Sequence, residues 1–267
     1  MAEAGNLTEG PGTNRNSGTP GKGTGRRETG PGERGLISVI MATYNEKENI
    51  RESIKTIFSI IPEPVEVIVV DDNSPDGTWK LVEELSDPRV TLIRRTRTRG
   101  LASAVLRGIV ESRGSIVCWW DADMPKCVER VPDMLRALES CDVVIASRYV
   151  EGGEDARDPV RATTSRWLNR MATLVLGHGV RDYDSGVVLL RRSVLDSALP
   201  SPTGFGEYFI EFVYTCCRKG LRVMEVPYSL TEREKGISKS NPTPLRFLQL
   251  GFAYGLQIWK ARFFPRE

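Results

Sequence analysis

The sequence predicts a three-layer α/β/α domain built on a mostly parallel sheet. Short apolar, β-branched runs of strand type alternate along the chain with helical segments of about 10–15 residues. Hydrophobic residues make up 40% and charged residues 27% of the 267 residues, which are ordinary values for a globular protein. Polar and acidic residues follow several strands, and ligands of parallel sheets bind beyond the carboxyl ends of the strands. We therefore expect a ligand site at that edge.

Three regions are expected along the chain. Residues 1–35 contain ten Gly, three Pro and nine Ser, Thr or Asn residues and no aromatic residue, so we interpret them as a disordered tail. Residues 36–241 carry the strand and helix pattern of one α/β domain. Residues 242–267 are predicted to form a C-terminal amphipathic helix that lies in a membrane interface.

Each predicted strand is a short apolar run, and a loop and a helix follow most of them. The predicted strands are 36–41, 65–70, 90–93, 115–120 and 142–146. A helix over 46–60 is expected to begin at the possible cap Asn45 and to end before Pro62. Further helices are expected to end at Ser86 and to cover 101–112 and 207–219.

Composition excludes several classes of function. The 37 Lys and Arg residues nearly balance 35 Asp and Glu residues, which argues against a dedicated nucleic-acid binder, and the basic run 94–99 has no interleaved aromatic residue. We interpret this run as a solvated loop or a contact for anionic lipid. The single histidine, His178, argues against a His-rich metal site. Five cysteines without a CxxC pair indicate a reducing compartment.

Carboxylates follow the first, second and fourth predicted strands: Glu46, Asp72, and the pair Asp121 and Asp123. The two members of that pair are two residues apart, so in an extended segment both point to the same side. Their oxygens suit Mg²⁺ or Mn²⁺, with phosphate oxygens and water completing the shell. No GxGxxG follows the first strand, which argues against a dehydrogenase. Tyr44 can stack on a base instead.

Several motifs, taken in order, resemble the inverting family-two glycosyltransferases of GT-A fold. The first three are Thr43-Tyr44-Asn45-Glu46, residues 69–78 and Asp121-Ala122-Asp123. Further motifs are similar to those of polyprenyl-phosphate glycosyltransferases such as the dolichol-phosphate mannose synthases: residues 146–149, 182–186 and 225–227, Arg233, and residues 236–239. The resemblance spans about residues 36–241 and implies a GT-A, Rossmann-like domain.

The resemblance also implies roles for individual residues. A nucleotide sugar would contact Ala42, Tyr44, Glu46, Val70, Asp72, Asp121, Ala122, Asp123, Arg148, Arg233 and Lys239. The acceptor phosphate would contact Arg148, Arg161, Ser165 and Arg233. Asp121 and Asp123 would hold Mg²⁺ or Mn²⁺ and, with Arg148, carry catalysis. Pro125 stands where the family usually has a polar residue that helps to hold the metal, so a backbone carbonyl or water would have to replace it.

The expected reaction is metal-dependent transfer of mannose from GDP-mannose to dolichyl or another polyprenyl phosphate, with inversion to a β-linked product. A phosphomonoester has a second pKa of about 6, so it is mostly a dianion at neutral pH and needs no general base. Three alternatives stay open: UDP-glucose as donor, a non-catalytic membrane-bound scaffold, and transfer to a hydroxyl with Asp182 or Asp184 as base.

The C-terminal segment indicates how the protein could associate with a membrane. Residues 244–264 are apolar and aromatic, with Arg246, Lys260 and Arg262 towards the ends. The thirteen uncharged residues between Arg246 and Lys260 are too few to span a bilayer, whereas such a helix suits the headgroup region. An ordinary amphipathic helix docked on the core is the alternative. We expect a peripheral protein on the cytoplasmic face of a membrane, with a membrane subunit as a possible partner.

Overall fold

The computed structural model describes residues 35–123, 125–231 and 244–264. Nearly all of the predicted N-terminal tail lies outside the described residues, as do the site candidates Arg233 and Lys239 and the motif 236–239. The strands are β1 (Ile37–Thr43), β2 (Val65–Asp71), β3 (Val90–Arg94), β4 (Ile116–Trp119), β5 (Val143–Ser147), β6 (Glu154–Ala156), β7 (Val188–Arg191), β8 (Val223–Pro227) and β9 (Ser229–Thr231). The helices are α1 (Ile50–Ile60), α2 (Thr78–Glu83), α3 (Leu101–Glu111), α4 (Pro125–Val128), α5 (Val131–Ala137), α6 (Pro159–Leu176), α7 (Glu207–Arg218) and α8 (Pro244–Phe263).

The main sheet has seven strands in the order β3-β2-β1-β4-β7-β5-β8. All neighbours are parallel except β7, which runs antiparallel to both β4 and β5. The predicted mostly parallel α/β class is therefore confirmed, and all five predicted strands are present. A second, two-stranded sheet pairs β6 with β9.

Two buried apolar clusters lie on the two faces of the sheet, as a three-layer domain requires. Ile40 of β1 belongs to the cluster that includes residues of α3, α6 and α7, whereas its neighbours Val39 and Met41 belong to the cluster that includes residues of α1 and α5. Alternation along the strand sends these side chains to opposite faces. Gly108 lets α3 approach β1, since a Cβ there would lie 2.3 Å from Ile40 Cγ2.

Helix α1 begins at Ile50, four residues later than the sequence predicts. Asn45 has a φ of 56°, in the left-handed region, so it does not cap the helix. The carbonyl of Glu46 instead accepts hydrogen bonds from the backbone N–H groups of Asn49 and Ile50. The segment before α1 is thus a turn that belongs to the edge of the sheet.

Helix α8 packs against α6 and α7. Its residues Ile258 and Ala261 are buried in the core cluster on that side. On other faces of the helix, Phe252 and Trp259 are 74% and 50% exposed. Among the described residues, no helix has the length and hydropathy needed to cross a membrane.

Candidate active site

The loops after β1 and β2 are anchored by the buried carboxylate of Asp71. Its Oδ2 accepts hydrogen bonds from Thr43 Oγ1 (2.8 Å) and Ser74 Oγ (2.6 Å), and its Oδ1 accepts one from the Ser74 backbone N–H (2.8 Å). Asp71 has no exposed surface. The carboxylate of Asp71 therefore fixes the start of the loop after β2.

Three further hydrogen bonds join these two loops directly. The backbone N–H groups of Asn45, Glu46 and Lys47 donate to side-chain oxygens of the second loop, at 3.0, 2.9 and 3.0 Å. The acceptors are Ser74 Oγ, Thr78 Oγ1 and Asp76 Oδ2. Residues 43–47 and 71–78 consequently form one hydrogen-bonded surface.

The predicted nucleotide contacts on β1 and β2 are brought together. Ala42 and Val70 are register partners on the two strands. Glu46 is buried and accepts a hydrogen bond from Asn49 Nδ2 at 2.9 Å. The guanidinium of Arg99 lies 5.2 Å from the ring of Tyr44. The four predicted contacts lie at the carboxyl ends of β1 and β2 or in the loop after β1, and Arg99 reaches the ring of Tyr44 from the loop after β3.

Asp72 has a partner that sequence reasoning missed. Arg95 Nε donates to Asp72 Oδ1 at 2.6 Å, and the backbone N–H of Gly100 donates to Oδ2 at 2.8 Å. Arg95 also donates from Nη1 to Ser103 Oγ at 2.9 Å, so it ties the end of β3 to the first turn of α3. The basic run is therefore not wholly a solvated loop. Only the pairing of β2 with β3, which aligns Asp71 with Arg94, identifies this contact.

Asp121 and Asp123 follow β4, next to the end of β1. Asp121 is exposed and Asp123 partly buried, while the intervening Ala122 is buried and its carbonyl accepts a hydrogen bond from Ser53 Oγ at 2.5 Å. Burial, with the charges of Asp121 and Asp123, raises the pKa of the Cys127 thiol well above its usual value. Both carboxylates thus lie near that thiol, on a backbone held by α1.

Two carboxylates suit a metal ion whose other ligands are diphosphate oxygens and water. Within residues 35–123, 125–231 and 244–264, no group of three or more His, Cys, Asp and Glu side chains is arranged to hold a metal. Asp121 and Asp123 offer hard oxygen donors, which Mg²⁺ and Mn²⁺ prefer, and phosphate oxygens and water would have to complete the shell. The oxygens of Asp121 and Asp123 therefore suit a metal ion that would bind together with a nucleotide diphosphate.

Arg148, at the end of β5, is buried and paired with Asp182. Its Nε and Nη2 donate to the two Asp182 oxygens at 2.8 and 2.7 Å, and its backbone N–H donates to Oδ2 at 2.9 Å. Nη2 also donates to the carbonyl of Asp184 at 3.0 Å. Arg148 is 3% exposed and Asp182 has no exposed surface. The guanidinium therefore holds the loop 182–184 in place.

An ion pair and two hydrogen bonds connect Arg148 to Ser165, another predicted acceptor residue. Arg148 Nη1 lies 3.6 Å from Asp155 Oδ2, which also accepts a hydrogen bond from the Tyr149 hydroxyl at 3.1 Å. The same hydroxyl lies 2.9 Å from Ser165 Oγ on α6. Arg161 lies one turn earlier on α6 and is partly buried. The structure thus brings Arg148, Arg161 and Ser165 to one region.

Asp184 lies between this network and the C-terminal helix. Burial raises the pKa of its carboxyl to about 6, although the charge of Arg148 lowers that pKa and the charge of Asp182 raises it further. Tyr254 of α8 hydrogen-bonds to this carboxyl. The contact needs Gly206, because a Cβ there would lie 1.8 Å from the Tyr254 hydroxyl oxygen. In the sequence, Asp184 is a candidate only as the base for a hydroxyl acceptor, and no motif indicates Tyr254.

The raised pKa of Asp184 predicts a pH-dependent stability. Because this carboxyl binds its proton more tightly in the folded chain than in the unfolded one, its contribution to stability falls as the pH rises from about 4 to about 6. Relative to Asp184→Asn, the wild type should lose about 2–3 kcal/mol of unfolding free energy across that window. Urea unfolding of both proteins at several pH values measures the difference. A difference that does not change with pH would contradict the assignment.

Comparisons with known proteins agree with this geometry. Residues 38–199 match glycosyl transferase family 2. The chain is 35% identical over 237 residues to the dolichol-phosphate mannosyltransferase of Pyrococcus furiosus, which covers 84% of this chain and 64% of that protein. It is 36% identical over 239 residues to the polyprenol monophosphomannose synthase of Mycolicibacterium smegmatis, covering 83% of this chain and 90% of that protein. This chain therefore spans slightly less than two thirds of the Pyrococcus relative.

Solved structures show the same fold. Glucosyl-3-phosphoglycerate synthase from Mycobacterium tuberculosis, in complex with Mn²⁺, UDP and glucosyl-3-phosphoglycerate, superposes with a TM-score of 0.66 over 87% of this chain and 82% of that chain. At 19% identity this likeness concerns the fold alone. It confirms the predicted GT-A, Rossmann-like fold class, while the family match and the curated relatives confirm the predicted enzyme class. The chain belongs to glycosyl transferase family 2 and is a glycosyltransferase.

Proposed function

We propose that the protein transfers mannose from GDP-mannose to dolichyl phosphate or a similar polyprenyl phosphate, with Mg²⁺ or Mn²⁺. One observation carries the proposal: the loop with Asp72, the pair Asp121 and Asp123, and the network of Arg148 and Ser165 lie along the same sheet edge. The proposed site for a nucleotide diphosphate and the proposed site for a second phosphate would thus be adjacent. The names of the two curated relatives support a polyprenyl-phosphate acceptor.

The donor would be held by the joined loops after β1 and β2. Tyr44 offers a ring for the base, and Asp72, oriented by Arg95 and Gly100, offers carboxylate oxygens to the nucleoside. Asp121 and Asp123 would hold the metal, which when bound supplies positive charge to the leaving diphosphate. The candidates Arg233 and Lys239 remain predicted phosphate contacts.

The acceptor phosphate would meet Arg161 and Ser165 on α6. One of its oxygens attacks the anomeric carbon, the bond from that carbon to the diphosphate oxygen breaks, and GDP leaves with the bonding electrons. Direct displacement inverts the configuration, so an α-linked donor gives a β-linked lipid product. Because the phosphate is already largely dianionic, the site needs position and charge rather than a base.

Arg148 is proposed to serve this site from its buried position. Nε and Nη2 are engaged by Asp182, whereas Nη1 lies at the longer distance of 3.6 Å from Asp155 Oδ2. The Nη1 edge is therefore the part of the guanidinium that we assign to a phosphate. Its pairing with Asp182 would keep that edge in a fixed orientation.

A membrane surface is proposed on α6 and α8. The α6 residues Val160, Trp167 and Leu174 are 66%, 60% and 80% exposed, and their spacing places them on one face. Exposed aromatic residues of α8, with Phe264 directly after the helix, add further apolar area: Phe252, Trp259 and Phe263. Such a surface would bring a lipid-linked acceptor to Arg161. We propose a peripheral protein at the cytoplasmic face of a membrane, with a membrane subunit as a possible partner.

A second candidate is transfer to a hydroxyl acceptor. The pKa of Asp184, raised to about 6, lies in the range of a general base at neutral pH, which favours this reaction. It predicts activity with soluble polyol acceptors that Asp184→Asn abolishes. The phosphate-acceptor proposal predicts no such activity.

Replacing Arg161 by alanine tests the acceptor assignment. Loss of a charge-assisted hydrogen bond should raise the KM for dolichyl phosphate about 10–100-fold and leave the KM for the nucleotide sugar within about threefold. Steady-state kinetics in detergent, with each substrate varied in turn, measures both. Arg107→Ala, which removes an exposed arginine from α3, serves as the matched control. Equal effects of Arg161→Ala on the two KM values would contradict the assignment.

A further inference from the structure

A groove of about 580 Å³ opens beside α6, on the flank that carries Arg166, Asn169, Arg170 and Thr173. The residues after β5 and Arg181, which precedes β7, form the rest of its lining. Arg148, whose Nη1 edge is assigned to the acceptor phosphate, is one of the lining residues, whereas Arg161 and Ser165 do not line the groove. We call it the arginine groove.

The arginine groove is basic: Arg148 in its lining is paired with Asp182, and Glu225 accepts a hydrogen bond from the backbone N–H of Arg181 at 2.9 Å, but three further arginines keep their side chains unpaired with any carboxylate among the described residues. Arg166, Arg170 and Arg181 are all exposed, and none forms an ion pair with a carboxylate in the described ranges. No Asp or Glu is among the residues that line the groove. Three guanidinium groups around one concave surface favour an anion, and their planar forks match phosphate oxygens.

Asn169 indicates that the ligand should also carry a hydrogen-bond donor. Its side chain is 2% exposed, and its Nδ2 donates to the carbonyl of Ser165 at 3.0 Å. That bond fixes the orientation of the amide, since the flipped form would set two oxygens against each other. Oδ1 then has no hydrogen-bond partner among the described residues. A buried acceptor without a donor is costly, so a ligand that brings an N–H or O–H group would be favoured.

The groove borders the exposed apolar face of α6. Leu174 both lines the groove and is 80% exposed, and Trp167 and Met171 lie on the same face at 60% and 37% exposure. A ligand with its polar group in the groove would therefore have apolar surface beside it. Phosphate, a neighbouring hydroxyl and an apolar tail are together the chemistry of an anionic phospholipid.

We propose that the arginine groove binds the headgroup of an anionic membrane phospholipid. The phosphate would contact Arg166, Arg170 and Arg181, and a headgroup hydroxyl would donate to Asn169 Oδ1. The lipid is not the acceptor and would hold α6 at the bilayer surface. The inference rests on the proposed membrane association but not on the donor, the metal or the acceptor.

Vesicle binding of the full chain tests the proposal. The vesicles contain phosphatidylcholine alone, or with a minor fraction of phosphatidylglycerol or of phosphatidylmethanol, which has the same charge but no headgroup hydroxyl. We expect the wild type to bind phosphatidylglycerol vesicles most tightly and phosphatidylmethanol vesicles several-fold more weakly. Arg170→Gln combined with Arg181→Gln should weaken binding to phosphatidylglycerol vesicles about 10–30-fold, at about 1 kcal/mol for each arginine.

A matched double variant distinguishes the effect of the groove arginines from the effect of losing any two surface charges. Arg107→Gln with Arg136→Gln removes two exposed arginines from α3 and α5 and should leave the lipid preference unchanged. Equal losses in both double variants, or equal binding to phosphatidylglycerol and phosphatidylmethanol, would overturn the proposal. If soluble glycerol 3-phosphate abolished binding to the vesicles, the ligand would be a free phosphate ester and not a membrane lipid, which would overturn the proposal.

Transferase activity in detergent tests the proposed reaction independently of the proposed phospholipid site. Normal activity in the groove variant, with its lipid preference lost, supports both proposals. Normal activity with an unchanged lipid preference overturns the groove alone. Failure of the wild type to transfer sugar, with the lipid preference intact, overturns the proposed reaction alone.

Discussion

Replacing Asp123 by alanine is expected to reduce turnover to below about one thousandth of the wild-type value. Asp121 and Asp123 are the two carboxylates that follow β4, and the proposed metal has no third protein carboxylate among the described residues. Loss of one ligand would remove the charge that stabilises the leaving diphosphate, an effect of the size found for other electrostatic contacts in active sites. Single-turnover transfer of labelled sugar measures it.

The control for this variant is Asp133→Ala. Asp133 lies on α5 and pairs with Arg130 and Arg136 at the surface, so its loss should leave turnover unchanged and cost little stability. Near-normal turnover by Asp123→Ala would refute the metal assignment. A thermal unfolding midpoint close to the wild type would show that the variant is folded.

Replacing Asp182 by alanine should have the largest effect on stability. The change leaves the buried guanidinium of Arg148 without its bidentate partner, and removing one member of a buried ion pair costs about 3–5 kcal/mol. The backbone N–H of Arg148 also loses its acceptor. Urea unfolding measures the loss in free energy.

An exposed pair provides the comparison. Glu84 and Arg51 form an ion pair at the surface with side chains 59% and 46% exposed, so Glu84→Ala should cost less than about 1 kcal/mol. Losses of similar size in the unfolding free energy of both variants would contradict the expectation that the buried ion pair is costlier to break than the exposed one. Because Arg148 holds loop 182–184, the Asp182 variant should also lose activity at temperatures where it remains folded.

The parallel part of the sheet could be predicted because its strands are largely apolar. All seven residues of β2 are buried, and a short, nearly continuous apolar run is typical of a strand that is covered on both faces. Strand β7 was missed although its first three residues are fully buried, because its place between β4 and β5 depends on long-range antiparallel pairing. Strand β8 was missed because none of its residues is fully buried, and it ends on a proline.

The site was predictable as a set of positions but not as a set of contacts. The motifs correctly placed Asp72 and Asp123 after strands of the same sheet, since the strand order brings β2, β1 and β4 side by side. The partners of these groups come from elsewhere: Arg95 reaches Asp72 from the end of β3, and Asp182 engages Arg148 from 34 residues away. Such pairings depend on packing that no local pattern encodes.

The most direct test of the proposed function is transfer of radiolabelled sugar to dolichyl phosphate in detergent. GDP-mannose and UDP-glucose are supplied in parallel, each with Mg²⁺, with Mn²⁺ and with EDTA. We predict label in the lipid from GDP-mannose with a divalent metal and none with EDTA. Label from UDP-glucose alone would contradict the donor, and label from neither donor, in protein that still binds a nucleotide sugar, would contradict the reaction.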